Sequence, residues 1–133
     1  MYLLDTNIVS YWMRGDLNVI ARLKDRAPSE LSLSTITLAE IWYGIEKSPV
    51  KKKERRMKIE NIRSLLHIYP FDEAAVESYA VIRAQLEGKG MKISERDTQI
   101  AAIAVANRLT IVTHNMEEFG RIEILPVEDW AVR

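Results

Sequence analysis

Three acidic residues in apolar surroundings are the side chains of this sequence best suited to chemistry. Asp5 directly follows an apolar N-terminal segment, Glu40 lies in an amphipathic stretch, and Asp97 begins an apolar one. Carboxylate oxygens are the ligands that hard cations such as Mg²⁺ and Mn²⁺ prefer. The sequence has no cysteine, and its two histidines, His67 and His114, are not at metal-ligand spacing, which argues against a zinc or thiolate centre. The acids therefore indicate a site for a hard divalent cation.

Each acid also has a structural interpretation that spacing alone leaves open. Asp5 is suited to a turn or a helix cap. Glu40 falls opposite the apolar face of its predicted helix, as a solvated glutamate would. Asp97 is the last residue of Ser94–Asp97, which resembles a capping box, although that motif prefers Glu or Gln at this position. An inward-facing Asp97 remains the alternative, since the helix that follows is apolar on nearly every side.

A second polar segment is predicted to open on the same edge of the structure as Asp5. It runs from Thr113 to Phe119 and leaves the carboxyl end of a predicted strand. In a parallel sheet such ends lie together, so oxygens of Thr113, Asn115 and Glu118 are expected near Asp5. The alternative is an ordinary strand-to-helix turn with Asn115 as the helix cap.

Strand-like and helix-like segments alternate along the chain, which predicts an α/β fold whose central parallel sheet carries helices on both faces. The predicted strands are 2–4, 31–33, 68–71, 110–113 and 122–125. The predicted helices are 17–26, one capped by Thr35 or Thr37, 51–66, 73–87 capped by Asp72, and 95–108.

Length and composition limit the possible classes of protein. The 133 residues are 47% hydrophobic, which suits a single globular domain over residues 1–133. Lys and Arg together number 19, as do Asp and Glu, so any basic surface must be local. No signal peptide and no run of about 20 apolar residues is visible, so we expect a cytoplasmic protein without a membrane partner.

Other common catalytic and binding motifs are absent, and one basic cluster is present. The sequence contains no G-x-S-x-G, G-x-x-x-x-G-K-[ST] or G-x-G-x-x-G motif, so serine hydrolysis and nucleotide binding by those loops are not indicated. A basic cluster is predicted to contact RNA or an acidic partner, or to be a solvated helix face; its residues are Lys51, Lys52, Lys53, Arg55 and Arg56.

Four segments in this order resemble the PIN domain, and within that superfamily the VapC-type toxins of toxin–antitoxin pairs. They are Leu3-Leu4-Asp5-Thr6-Asn7, Ser34-Thr35-Ile36-Thr37-Leu38-Ala39-Glu40, Asp97-Thr98-Gln99-Ile100-Ala101-Ala102 and Ile111-Val112-Thr113-His114-Asn115. The resemblance covers the whole chain and implies a PIN-like three-layer fold and a metal-dependent endoribonuclease.

The resemblance also implies a ligand set. Asp5, Glu40 and Asp97 match the family's catalytic acids, with Thr6 and Asn7 as supporting residues. The family often has a fourth acid where this chain has Asn115, which offers a neutral oxygen, and Glu118 is the candidate to supply the missing charge.

The implied reaction is hydrolysis of an RNA phosphodiester. A cation such as Mg²⁺ or Mn²⁺ would relieve the repulsion between carboxylates and phosphate and activate the attacking water. The products implied by the family are a 5′-phosphate and a 3′-hydroxyl. The implied partners are an RNA substrate, a cognate VapB-like antitoxin and a second copy of the chain in a homodimer or a higher toxin–antitoxin assembly.

Two other functions remain open at this point. One is a PIN-type nuclease of RNA processing or structured DNA that has no antitoxin, and a small antitoxin gene just upstream would separate it from a toxin. The other is a non-catalytic RNA- or protein-binding module. The three acids argue against that module, and Asn115 argues slightly for it.

Overall fold

The computed structural model describes residues 1–132, in which five short strands and seven helices follow one another. The strands are β1 (Tyr2–Leu4), β2 (Leu31–Ser34), β3 (His67–Tyr69), β4 (Thr110–Val112) and β5 (Val127–Glu128). The helices are α1 (Thr6–Met13), α2 (Leu17–Lys24), α3 (Thr35–Glu46), α4 (Lys52–Leu65), α5 (Glu73–Gly88), α6 (Glu95–Ala106) and α7 (Met116–Phe119).

All five strands form one parallel sheet in the order β3-β2-β1-β4-β5, with β1 at its centre. The pairing continues one residue past two of the strands. The Asp5 N–H donates to the Val112 carbonyl at 2.8 Å, and the Thr113 N–H donates to the Glu128 carbonyl at 2.9 Å. Asp5 and Thr113 therefore lie side by side at the carboxyl edge of the sheet.

Two hydrophobic cores cover the two faces of this sheet. Leu3 and Ile111 point to one face and pack with α5 and α6, whereas Leu4 and Val112 point to the other and pack with α1, α2, α3 and α4. Neighbouring residues of a strand face opposite sides, so two apolar residues in a row supply both cores. The predicted three-layer α/β fold is confirmed.

Short polar side chains begin nearly every helix. Their oxygens accept hydrogen bonds from otherwise unpaired N–H groups of the first helical turn. The residues in this role are Asp5, Asp16, Ser34, Asp72, Ser94 and Asn115. The cap of α3 is thus Ser34, and the expected cap at Thr35 or Thr37 is wrong because both residues lie inside the helix.

Two elements differ from the sequence-based expectation. Helix α1 had not been predicted, although it places one side of the site. The last strand is Val127–Glu128 and not 122–125, because the chain turns at Ile122 through hydrogen bonds from its N–H to Phe119 and from Leu125 to Ile122. In the part of the chain that the structure describes, no helix has both the length and the apolar character needed to cross a membrane.

Candidate active site

Asp5 is the most buried of the three acids. Its side chain is 4% exposed, and the Thr6 N–H and the Thr113 hydroxyl donate to its two oxygens at 2.8 and 2.7 Å. Burial, supported by the nearby charge of Glu40, raises the pKa of Asp5 from 3.8 to about 6, although the two hydrogen bonds oppose the rise. The capping interpretation is therefore also correct, since one oxygen of Asp5 begins α1 while the carboxylate lines a cleft.

Glu40 faces the same cleft and is not simply solvated. Its side chain is 23% exposed, because α1 and α6 cover the side of α3 from which it projects. The Thr6 hydroxyl donates to one carboxylate oxygen at 2.7 Å, and the Arg96 guanidinium lies 3.4 Å from the other. Thr6 thus connects the two acids, since its backbone contacts Asp5 and its side chain contacts Glu40.

Asp97 lies in the first turn of α6, half-buried at the cleft. The Ser94 hydroxyl caps this helix by accepting from the Asp97 N–H at 3.2 Å, so capping uses the backbone of Asp97 and leaves its carboxylate free for the cleft. Burial is the largest cause that raises the pKa of Asp97, to about 7, followed by the negative charge of Asp5 and the contact with Glu118. Two crowded carboxylates with raised pKa values are a typical sign of a functional site.

Asn115 bridges the carboxylates of Asp97 and Glu118. Its amide N–H₂ donates to Asp97 at 3.3 Å and to Glu118 at 3.2 Å, while its oxygen accepts from the Glu118 N–H at 3.4 Å and caps α7. The amide therefore offsets carboxylate repulsion in this arrangement. The role of Asn115 as an oxygen donor to a cation stays a prediction, and it requires the amide to turn.

The supporting residues named from the sequence hold the cleft walls together. Thr113 donates to Asp5 and accepts from the Asn115 N–H at 2.9 Å, so one hydroxyl joins β4 to β1 and to the start of α7. The Asn7 side chain accepts from the His114 N–H at 3.3 Å. The contacts of Thr113 with Asp5 and of His114 with Asn7 connect segments more than 100 residues apart in the chain.

The three acids and Asn115 line one open cleft of about 450 Å³. Within residues 1–132 no group of three His, Cys, Asp or Glu side chains is arranged to hold a metal ion as it stands. In this arrangement Glu40 contacts Thr6 and Arg96, and Asp97 contacts Asn115. The donor set itself fits a hard divalent cation, because it consists of carboxylate and amide oxygens whose mutual repulsion such an ion would relieve.

Helix α1 and the residue after it line a side of the cleft from which the sequence indicates only Thr6 and Asn7. Asn7, Ser10, Tyr11 and Arg14 line the cleft together with the acids. Their spacing of three or four residues places them along one face of a helix, and this was the available signal once the segment after Asp5 was recognised as helical.

The basic cluster of α4 is largely engaged in contacts within the chain. The Arg55 guanidinium donates to the carbonyls of Gly44, Ile45 and Ser48 at 3.2, 3.4 and 2.6 Å, and its Nε to that of Val50 at 2.9 Å. Arg55 therefore closes the carboxyl end of α3.

Some neighbours of Arg55 form ion pairs within the chain and others are exposed. Lys52 and Arg56 share Glu46 at 3.1 and 3.2 Å, while Lys51 lines a groove and Lys53 is exposed. A contact of this cluster with RNA or an acidic partner stays a prediction, and it is carried best by Lys51 and Lys53.

Substitutions of Asn115 and Glu118 test which groups hold a cation. Glu118 does not line the cleft itself but contacts Asn115 and Asp97 at its edge, so Glu118→Gln is expected to weaken Mg²⁺ binding by about tenfold through loss of a negative charge beside Asp97. Asn115→Asp is expected to tighten it, since it adds a carboxylate, and Asn115→Ala removes the amide without adding charge. Titration calorimetry with Mg²⁺ measures all three.

Glu117→Gln is the matched control for this series. Glu117 precedes Glu118, but its side chain is 85% exposed and pairs with Arg121 at 3.4 Å, outside the cleft. Equal Mg²⁺ affinities of Glu117→Gln and Glu118→Gln would show that Glu118 has no special role. The site would then consist of Asp5, Glu40 and Asp97.

Comparison with known proteins adds independent information. The PIN domain family matches residues 2–125. The chain is 35% identical to Ribonuclease VapC2 of Rickettsia felis and 33% identical to the tRNA(fMet)-specific endonuclease VapC of Salmonella typhimurium, with 98% of each chain covered in both comparisons. The fold is similar to that in the crystal structure of VapBC2 from Rickettsia felis bound to a DNA fragment from its promoter, with a TM-score of 0.89 at 36% identity over 97% of this chain and 98% of the other.

Proposed function

The chain belongs to the PIN domain family, in its VapC-type branch, and from this premise we propose that it is a metal-dependent endoribonuclease toxin neutralised by a cognate VapB-like antitoxin. The observation that carries the proposal is the convergence of Asp5, Glu40 and Asp97 on one cleft at the carboxyl edge of the sheet. Two relatives of similar length are named Ribonuclease VapC2 and tRNA(fMet)-specific endonuclease VapC, so hydrolysis of an RNA phosphodiester is the reaction that best fits this acidic cleft.

We assign a different role to each of the residues that form the cleft. Asp5 and Asp97, both crowded and with raised pKa values, are the proposed direct ligands of a divalent cation, with Glu40 as a direct ligand or one acting through water. When bound, such a cation supplies charge neutralisation at the phosphate and activates a water molecule. Thr113 and Thr6 hold Asp5 in place, and Thr6 also orients Glu40.

The raised pKa of Asp97 makes the expected affinity for Mg²⁺ depend on pH. Near neutral pH, Asp97 retains its proton on a large fraction of metal-free molecules, because burial and Asp5 disfavour its charged form. Cation binding must displace that proton. We therefore expect the affinity for Mg²⁺ to rise with pH between about 6 and 8.

Two further features of the proposal concern organisation. We propose that residues 1–133 form a single PIN domain, and that the protein works as a homodimer or in a larger toxin–antitoxin assembly. The solved complex of VapBC2 from Rickettsia felis supports an antitoxin partner for this chain.

Induced expression in a bacterial host tests the toxin function. Growth is expected to stop, RNA fragments with new 5′-phosphate ends are expected to accumulate, and co-expression of the small gene just upstream is expected to restore growth. Sequencing of the 5′ ends identifies the cleaved RNA. The Asp97→Asn variant is the control, and growth arrest by that variant without new RNA ends would reject a toxin that acts by RNA cleavage.

A further inference from the structure

Arg14 lies where the acidic cleft meets a second, larger groove. It lines both the cleft of about 450 Å³ and the adjacent groove of about 660 Å³, which runs between α1, α3 and α4. From Asn7 to Arg14 the α1 axis extends about 10 Å, at 1.5 Å per residue. A strand that presents one phosphate to the acids would bring a neighbouring phosphate close to Arg14.

In the part of the chain that the structure describes, the guanidinium of Arg14 forms no ion pair with a carboxylate. Three acids of the neighbouring segments have other partners. Asp16 caps α2 by accepting from two N–H groups at 3.0 and 3.1 Å, and Glu54 pairs with Lys58 at 3.6 Å. Glu40 has the ion pair with α6 described above. Among residues 1–132, those that line the acidic cleft include one positively charged side chain, that of Arg14.

Aromatic contacts hold this guanidinium in position. It lies over the ring of Tyr11, 5.0 Å from the ring centroid. The Tyr11 ring also contacts the His114 ring edge-on, with 5.8 Å between the two ring centroids. The His114 ring is itself fixed by Asp129, whose carboxylate lies 2.9 Å from Nδ1. Gly15 follows with a left-handed φ of +81°, which turns the chain away directly after Arg14.

We propose that Arg14 is a substrate-binding residue that contacts a phosphate beside the scissile one and so sets which phosphodiester reaches the acids. This role rests on the proposed ribonuclease function. A planar guanidinium recognises phosphate oxygens through paired N–H donors, and its charge is not lost at neutral pH. Placing it over an aromatic ring limits its motion without using its N–H donors, since a cation–π contact engages the face of the guanidinium.

A chemical double-mutant cycle tests the contact. The probe is a short single-stranded RNA spanning the cleavage site mapped by 5′-end sequencing, with one flanking phosphate at a time replaced by a neutral methylphosphonate. Arg14→Gln is expected to raise KM by about tenfold or more while kcat changes little, because a ground-state contact to a charged group is lost. At one flanking position the methylphosphonate is expected to raise KM for the parent protein but not for Arg14→Gln.

The salt dependence of binding gives a second measurement. In an Asp97→Asn background without metal, Arg14→Gln is expected to reduce the slope of log affinity against log salt by about 0.7, the value for one phosphate contact on a single strand. Arg22→Gln is the control, since Arg22 is an exposed arginine of the neighbouring helix α2. Its KM and its slope are expected to match those of the parent.

The ring beneath Arg14 has its own pair of variants. Tyr11→Phe keeps the aromatic face and is expected to keep KM, whereas Tyr11→Leu is expected to raise it about two- to fivefold. Equal KM values for Phe and Leu at this position would show that the ring does not position the guanidinium.

Three outcomes separate this inference from the function on which it rests. If the parent protein cleaves no RNA, the proposed function fails and this inference fails with it. If it cleaves RNA but Arg14→Gln and the methylphosphonates change nothing, the inference alone is wrong. If Arg14→Gln leaves RNA cleavage intact but weakens binding of the antitoxin, Arg14 contacts an acidic peptide and the phosphate contact is rejected.

Discussion

Asp97→Asn and Asp5→Asn are each expected to lower RNA cleavage by more than about 100-fold, since even outer-shell substitutions at metal sites cost 10–100-fold. Each replaces a crowded carboxylate of the cleft by a neutral amide of similar size. The measurement is single-turnover cleavage of a fixed RNA at saturating Mg²⁺. If both variants retain the parent's rate, the assignment of the acids is wrong.

The stability of the same variants separates loss of chemistry from loss of fold. In the metal-free protein, the pKa of Asp5 is raised from 3.8 to about 6 and that of Asp97 to about 7. Both groups bind their proton more tightly in the folded state. Their contribution to stability is therefore fully present below about pH 4 and is lost as the pH rises through 6 and 7.

Thermal melting at several pH values tests this sign. The parent is expected to lose stability between about pH 4 and 8 in EDTA, and each Asn variant is expected to lose less. For Asp5 the rise of the pKa from 3.8 to about 6 corresponds to about 3 kcal/mol at most, reduced by whatever hydrogen bonding the amide loses to Thr113. A variant that melts far below the parent at pH 8 would support a structural role for that acid.

Removal of divalent metal is expected to abolish cleavage by the parent protein. Without a cation, the carboxylates of the cleft repel the phosphate anion and leave no group to activate water. Activity is expected to vanish in EDTA and to return with excess Mg²⁺ or Mn²⁺.

Two controls complete the metal experiment. A metal-independent ribonuclease in the same buffers shows that EDTA does not alter the RNA, and elemental analysis confirms that the protein itself is metal-free. Full activity of metal-free protein in EDTA would contradict the proposed mechanism while leaving the family membership and the fold unaffected.

The sequence by itself determined the fold class and the identities of the acids. Leu3 and Leu4 are consecutive apolar residues that supply both faces of a buried strand, and Asp5 follows them at once, so a carboxylate at the strand's end could be read directly. The helix caps at Asp72 and Ser94 can also be predicted from the sequence, because capping depends on residues within one turn.

Only the tertiary structure decided how the acids are held and what else shares their cleft. The helical period places Glu40 opposite the apolar face of its helix, which leaves both a solvated and a functional glutamate open. The structure shows that α1 and α6 cover that side, and neither neighbour is visible in the local pattern around residue 40. The bridge from Asn115 to Asp97 and Glu118 likewise depends on side-chain rotamers set by segments distant in the chain.

Local sequence likewise does not predict helix α1 or the position of Arg14. The segment from Thr6 to Met13 is short and has β-branched and aromatic residues, so local propensity does not indicate a helix, and packing of Ile8 and Val9 on the sheet stabilises it instead. Periodicity and capping are local and can be read from the sequence. The position of Arg14 at the cleft follows from the placement of α1 beside α3 and α4, which only contacts between distant segments determine.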